Sequence, residues 1–324
     1  MFFAISIIIV IGVFLGCTVG ANDAANCVGA DIGSGELSVA EGILLTCVFG
    51  FLGAVLMGSH VMETLGKGIV PLTILPSQTA LYISMVGCLG AALWIMISTF
   101  FGLPVSTSHS IVGAIGGAGL AVGAPVYFSK LGSIFICWIV TPVGSMILAM
   151  VLYPVMSFLI RTLVAERFRA IVVRWLIIIT SIYFAFMWGA NDVANASGLM
   201  AGSGVFSNLV AVIIGASAIV IGVIIWGRKV IETVGFKITH LSALMTITAE
   251  IAAAVNVNLY TLFGIPVSTS HAIVGAVIGV GLSQGIKSVD AKMTRDIVFA
   301  WAGTPFASGL LSFVIMSLIK LWIL

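Results

Sequence analysis

Charge is what this chain has least of: only 7% of its 324 residues are Asp, Glu, Lys or Arg, against 61% hydrophobic. Its mean hydropathy of +1.28 lies beyond what a water-exposed surface tolerates, which excludes a soluble domain. The 13 basic residues nearly balance the 11 acidic ones, and no basic stripe alternates with aromatics, so no nucleic-acid partner is expected. Cysteine is sparse. Cys17, Cys27, Cys47, Cys88 and Cys137 all fall in the first half on apolar segments, without zinc spacing or a disulfide framework, and read as buried packing residues. No basic stretch precedes the first apolar run, so removal of a signal peptide is not expected. A histidine cluster for a metal and a nucleophile with a positioned base are also missing, so the chain does not read as an enzyme. What remains as partners are lipid and a small solute.

A hydrocarbon core of ~30 Å requires ~20 apolar residues per helix. Such stretches lie near 2–22, 38–58, 80–101, 104–124 and 132–160, and again near 170–190, 206–227, 241–263, 266–285 and 295–324. Glycine and proline breaks, and the length of the last stretch in each half, predict ten to twelve membrane segments in an all-α polytopic fold with broken or re-entrant helices.

The sequence repeats itself. GANDAANCVG at 20–29 returns as GANDVANASG at 189–198, and PVSTSHSIVGAIGG at 104–117 returns as PVSTSHAIVGAVIG at 266–279. Between these blocks Glu63-Thr64 recurs as Glu232-Thr233, and after them Trp138…Thr141-Pro142 recurs as Trp301…Thr304-Pro305. Two repeats follow, 1–160 and 175–324, joined by an aqueous cytoplasmic linker at 161–174 that carries Arg161, Arg167, Arg169 and Arg174. An odd number of crossings per repeat inverts the second relative to the first, as in many secondary transporters. With five crossings each and an external N-terminus, ten basic residues face the cytoplasm and only Lys67, Lys130 and Lys320 face outward. The positive-inside rule therefore puts both termini outside.

Buried polar groups are costly in a bilayer, roughly 2.5–3.5 kcal/mol for an aspartate at a helix centre. Asn22, Asp23 and Asn26 stand at i, i+1 and i+4 on one helical flank, as do Asn191, Asp192 and Asn195. Their oxygens suit hard cations and their amide NH₂ groups suit an anion. In the second block Pro104 and Pro266 fit helix starts, and Ser106-Thr107-Ser108 and Ser268-Thr269-Ser270 are natural N-caps. Free N–H groups and the positive end of each helix dipole then favour an anion. Two such half-helices meeting from opposite sides would surround a tetrahedral oxyanion. Gly113 with Gly117, and Gly275 with Gly279, form GxxxG pairs for close helix packing. His109 and His271 read either as structural residues or as proton relays. Glu250 lies in a span, and its first-half counterpart is Cys88; an unmatched intramembrane carboxylate points to coupling or gating. Glu63 and Glu232 are helix-end residues with the same candidate role.

The duplicated GAND(A/V)AN and PVSTSH blocks closely resemble those of the inorganic phosphate transporter family, over essentially the whole chain. The resemblance implies sodium- or proton-coupled uptake of inorganic phosphate, an inverted-repeat fold in a cell membrane, and a homodimer. It makes Asn22, Asp23, Asn26, Asn191, Asp192 and Asn195 signature positions and the two hydroxyl triplets substrate contacts, and it matches Glu250 to an important intramembrane glutamate of eukaryotic members. A second family glutamate falls near Gly50, and the long cytoplasmic loop of animal relatives is missing. Two aspartates repel an oxyanion unless a cation sits between them. Sodium at Asn22, Asp23, Asn191 and Asp192, with phosphate at Asp23, Asn26, Asp192, Asn195 and the two hydroxyl triplets, is the arrangement expected. Sulfate carriage by the same fold, proton coupling and an anion channel are the alternatives.

Overall fold

The computed structural model describes residues 2–59, 61, 70–103, 105–202, 206–237, 241–265, 267–285 and 291–323. Glu63, Thr64, Pro104 and Pro266 lie outside the described residues. In chain order the helices are α1 (Phe2–Gly33), α2 (Val39–Met57), a 3-10 turn at Leu72–Ile74, α3 (Ser77–Phe100), α4 (Thr107–Ala121), α5 (Phe128–Leu163) and α6 (Glu166–Gly202). There follow α7 (Asn208–Gly222), a π turn at Val223–Gly227, α8 (Arg228–Lys237), α9 (Ala243–Leu262), α10 (Thr269–Gln284) and α11 (Ala291–Ile323).

Among the described residues eight helices are long and apolar enough to cross a membrane. The segments expected near 104–124 and 266–285 are not full spans: α4 has 15 residues and α10 has 16. At 1.5 Å per residue each is about 22–24 Å long, short of the ~30 Å core. Each is the second arm of a hairpin whose tip is set by a glycine with positive φ, Gly102 (69°) after α3 and Gly264 (66°) after α9. Leu103 N–H returns to the Ser98 carbonyl at 2.9 Å and Ile265 N–H to the Tyr260 carbonyl at 2.9 Å. This capping arrangement needs the left-handed conformation that glycine adopts without strain.

The segment 161–174 is helical except for Val164 and Ala165. Arg169 donates from Nε to the Val164 carbonyl at 3.1 Å and from Nη2 to the Arg161 carbonyl at 3.0 Å. A cation there satisfies the carbonyls that the end of α5 leaves without partners. Arg174 donates to the Glu36 carbonyl at 2.7 Å and to Glu41 Oε1 at 3.1 Å. The α1–α2 loop and the α5–α6 connection therefore share one end of the molecule.

The two halves interlock rather than sit side by side. Helix α2 packs on α6 and α7 on α1, while α4 packs on α11 and α10 on α5. Glycine makes these approaches possible: a methyl group on Gly113 would overlap the Pro305 carbonyl, and one on Gly275 the Pro142 carbonyl. The GxxxG glycines thus serve packing, as expected, but each set packs on the opposite half. Outward-facing side chains such as Ile139, Phe158, Phe306 and Leu310 are exposed and apolar, which suits a lipid-facing perimeter.

Candidate functional site

The hairpin tips are pinned by the signature asparagines. Asn22 donates from Nδ2 to Thr99 Oγ1 at 2.9 Å and to the Leu103 carbonyl at 3.1 Å, and its Oδ1 accepts from Val105 N–H at 3.1 Å. Asn191 repeats this in the other half: Nδ2 donates to the Val267 carbonyl at 2.7 Å and Oδ1 accepts from Val267 N–H at 3.4 Å. Both ends of each amide are engaged by backbone, which leaves one lone pair of each Oδ1 for any further partner.

The N-caps form at the expected residues. Ser106 Oγ accepts from His109 N–H and Ser268 Oγ from His271 N–H, each at 3.3 Å. The next hydroxyl in each helix reaches the aspartate of its own half: Thr107 Oγ1 donates to Asp23 Oδ2 and Thr269 Oγ1 to Asp192 Oδ2, both at 2.9 Å. Each aspartate also accepts from the asparagine one turn on, Asn26 to Asp23 at 3.1 Å and Asn195 to Asp192 at 2.9 Å.

The third hydroxyl crosses between halves. Asn26 Nδ2 donates to Ser270 Oγ at 2.7 Å, and Asn195 Nδ2 lies 3.5 Å from Ser108 Oγ. Ser270 Oγ also approaches Asp23 Oδ1 at 3.3 Å. The tips touch, with Ser108 Oγ 3.5 Å from the Val267 carbonyl and Ser270 Oγ 3.5 Å from the Val105 carbonyl. All these side chains are buried; Asp23 and Asp192 are fully so. Among the described residues the salt bridges are Arg174 to Glu41 and Arg228 to Glu232, both at the surface. Among the described residues, then, no cationic side chain is paired with the two buried aspartates, which leaves their charge open to a bound cation or proton.

A second layer lies beside the tips. Proline lacks an N–H, so Pro142 and Pro305 each release the carbonyl four residues earlier. Those carbonyls belong to Trp138 and Trp301. His271 Nδ1 lies 3.1 Å from the Trp138 carbonyl and His109 Nδ1 lies 3.4 Å from that of Trp301. A carbonyl only accepts, so both imidazoles carry their proton on Nδ1 in these contacts. His109 stacks on Trp138 with ring centroids 3.5 Å apart, His271 packs on Trp301 at 3.8 Å, and the two imidazoles meet edge to face at 4.4 Å. The recurrence of Trp…Thr-Pro was visible in sequence, but its pairing with the histidines of the other half was not.

Glu250 is buried, and Thr180 Oγ1 donates to its Oε2 at 2.6 Å. The next residue of α6, Ser181, donates from Oγ at 2.8 Å to a second buried carboxylate, Asp31. Asp31 lies beyond the apolar stretch expected near 2–22, whereas α1 runs on to Gly33. The repeat held a signal: Asp31 aligns with Met200, so it breaks the symmetry as Glu250 does. Glu232 lies apart from the tips, paired with Arg228 at 2.8 Å. It lines a surface groove with Arg228, Lys229 and Thr99, and through Thr99 that groove borders Asn22.

Comparison with known proteins gives the family. A family model described as the phosphate transporter family matches residues 19–172 and 163–312. Provisionally named phosphate permeases of Pyrococcus abyssi and Pyrococcus furiosus are each 31% identical, covering 97% and 95% of this chain and 97% and 94% of theirs. The chloroplastic inorganic phosphate transporter 2-1 of Arabidopsis thaliana is 27% identical over 90% of this chain and 68% of its own. A solved structure of a sodium-dependent phosphate transporter superposes with a TM-score of 0.88 at 29% identity, covering 99% of this chain and all of that one. With its multiple spans and its paired motif helices, the chain belongs to the phosphate transporter family.

Proposed function

We propose that this protein is a secondary active carrier that takes up inorganic phosphate by symport with sodium, through one site where two inverted repeats meet. The observation that carries the reading is the crossing of the halves at the tips, where Asn26 bonds Ser270 and Asn195 approaches Ser108 beside two aspartates without cationic partners. Hydroxyls both donate and accept, so Ser106, Thr107, Ser108, Ser268, Thr269 and Ser270 tolerate either protonation state of phosphate. The amides of Asn26 and Asn195 add donors, and the N-terminal ends of α4 and α10 supply positive dipole ends.

Asp23 and Asp192 recruit sodium, with the remaining Oδ1 lone pairs of Asn22 and Asn191 as further ligands. Sodium bound between carboxylate and substrate removes the repulsion that would otherwise exclude an anion. The sodium-dependent neighbour supports this choice of ion. Because the site is buried, exchange with either side requires the halves to rock against each other. Glu250, Glu63 and Glu232 take part in coupling or gating.

The repeats are 1–160 and 175–324, both termini face outward in a cell membrane, and the assembly is a homodimer. The contacts of Arg174 with Glu36 and Glu41 support the orientation, since they join two segments that the charge count assigns to the cytoplasm. The deciding experiment is uptake of radiolabelled phosphate into proteoliposomes, driven by a sodium gradient or by a proton gradient, with excess sulfate as competitor. Sodium-driven accumulation that ignores sulfate is expected. Proton-driven uptake would reassign the ion, block by sulfate would reassign the substrate, and unsaturable flux would indicate a channel.

A further inference from the structure

Asp31 and Glu250 form a second carboxylate pair, separate from Asp23 and Asp192. Asp31 lies eight residues beyond Asp23, about 12 Å along α1 at 1.5 Å per residue. Thr180 and Ser181, which hold the pair, lie six and seven residues beyond Arg174 on α6, roughly 9–11 Å from that surface contact by the same rise. The pair therefore stands between the tip site and the end of the molecule where the α1–α2 loop meets the α5–α6 connection.

The hydrogen bonds around the pair are a proton short. The hydroxyls that hold the two carboxyl groups belong to neighbouring residues of α6, Thr180 on Glu250 at 2.6 Å and Ser181 on Asp31 at 2.8 Å, which sets the carboxyl groups beside each other, and both are buried, Asp31 at 0% and Glu250 at 1% exposure. Asp31 Oδ1 and Glu250 Oε1 have no donor among the described residues. The other two oxygens face Ser181 and Thr180, but each hydroxyl carries a single hydrogen and also faces the Ile177 carbonyl, at 2.7 Å and 3.1 Å. Two hydroxyl hydrogens cannot serve four acceptor contacts and also separate two facing carboxylates. Asp31 sits in the last turn of α1, where the helix dipole disfavours added negative charge.

The charged and titratable groups on the surrounding elements are engaged elsewhere or do not help. Glu41 pairs with Arg174 and Arg228 with Glu232. Lys229 donates to the Phe100 carbonyl, Asn258 donates to Tyr183, and His271 meets the Trp138 carbonyl. Asp23 is held by Thr107. Glu36 adds negative charge near Asp31, and Cys27 is a buried thiol.

The repeat supplies an internal comparison. In the other half the positions of Asp31, Ser181, Thr180 and Glu250 are taken by Met200, Gly12, Ile11 and Cys88. Gly12 meets Met200 there, as Ser181 meets Asp31, with an added Cβ 3.1 Å from Met200 Cγ. Met200 and Cys88 are buried in one apolar cluster, with Ile11 packed against it. One half is thus polar at all four positions where the other offers no carboxyl or hydroxyl.

We propose that Asp31 and Glu250 share one proton between their carboxyl groups, making a proton-binding site on one side only of an otherwise two-fold carrier. It extends the sodium-coupled reading without depending on it. A proton bound on one side of the tip site gives the two directions of access different chemistry, which a symmetric pair of repeats lacks.

The test is infrared spectroscopy of the full-length protein in lipid nanodiscs, following the carbonyl stretch of a protonated carboxyl across a pH titration with and without sodium. The expected result is a neutral-pH band, insensitive to sodium, that is lost in both Asp31→Asn and Glu250→Gln and kept in Asp23→Asn. Loss of both from either single change is the mark of a shared proton. A band lost in only one of the two variants, or lost in Asp23→Asn, would overturn the proposal. So would the lack of any band at neutral pH, or its displacement by sodium, which would make the pair a sodium site. Should either carboxyl variant fail to fold, Thr180→Val supplies the reading: it removes one hydroxyl partner and should shift the band's frequency, and an unmoved band would overturn the assignment. The readout needs no phosphate uptake, so its failure is distinguishable from failure of the carrier reading.

Discussion

The amide of Asn26 donates to the hydroxyl of Ser270 at 2.7 Å, joining the signature helix of one half to the short helix of the other. Under the phosphate reading both groups turn toward substrate. Ser270→Ala should therefore raise the phosphate concentration for half-maximal uptake roughly ten- to a hundredfold, the equivalent of one charged hydrogen bond at roughly 1.5–3 kcal/mol. The measurement is the concentration dependence of uptake in proteoliposomes. An unchanged value in both Ser270→Ala and Asn26→Ala would remove the tips from the substrate site.

Asp23 and Asp192 each accept from one threonine at 2.9 Å, and neither is paired with a cationic side chain in the described residues. Asp23→Asn and Asp192→Asn keep the shape and delete the charge. Each should abolish the sodium dependence of uptake while the purified protein still elutes as a single species in detergent. Retention of normal sodium dependence in both would take the aspartates out of coupling.

Gly113 and Gly116 offer a controlled pair on one helix. A methyl on Gly113 overlaps the Pro305 carbonyl, whereas one at Gly116 meets no atom within 4 Å. Gly113→Ala should lower thermal stability in detergent by about 1–3 kcal/mol, the usual cost of overpacking. Gly116→Ala should leave it unchanged or raise it slightly, since alanine favours the helix. Equal effects at the two positions would mean that α4 does not pack on α11 as described.

The repeat made the motif helices, their serine caps and their glycine packing legible, because each rests on local chemistry stated twice in the chain. Non-local relations were not legible. The serine cap placed the start of the helix at 104–124, but nothing in its hydropathy says that it falls short of a span, since hydropathy counts apolar residues and not the hydrogen bonds by which Asn22 holds the turn before it. The stretch 161–174 read as linker because four arginines dominate it, yet Arg169 uses its charge to cap α5. Asp31 escaped because its partner lies over two hundred residues away, and a carboxylate's meaning depends on what it faces.

Arg174, in the early turns of α6, ties that helix to the α1–α2 loop and to α2, while Lys320 Nζ lies 3.4 Å from the Ala121 carbonyl at the end of α4. On a cysteine-free background, cysteines at Gly35 and Ala165 should react with a membrane-impermeant maleimide from the same side, the cytoplasmic one. A cysteine at Gly123, beside the α4–α5 turn, should react from the opposite side. Labelling of all three from one side would refute the odd number of crossings per half.

His271 and Pro142 test how the halves are joined. Pro142 withholds the N–H that would have met the Trp138 carbonyl, and His271 from the other half lies 3.1 Å from it instead. His271→Ala should then leave that carbonyl without a partner and cost about 1–3 kcal/mol. Pro142→Ala restores a helical N–H four residues on, so the carbonyl no longer needs the imidazole. In a double-mutant cycle read by thermal unfolding in detergent, the loss caused by His271→Ala should shrink by about 1 kcal/mol on the Pro142→Ala background. The stacking of His271 on Trp301 is lost equally on both backgrounds, so it cancels from the coupling energy. Strict additivity would mean that the carbonyl freed by the proline is not what the histidine is there to satisfy.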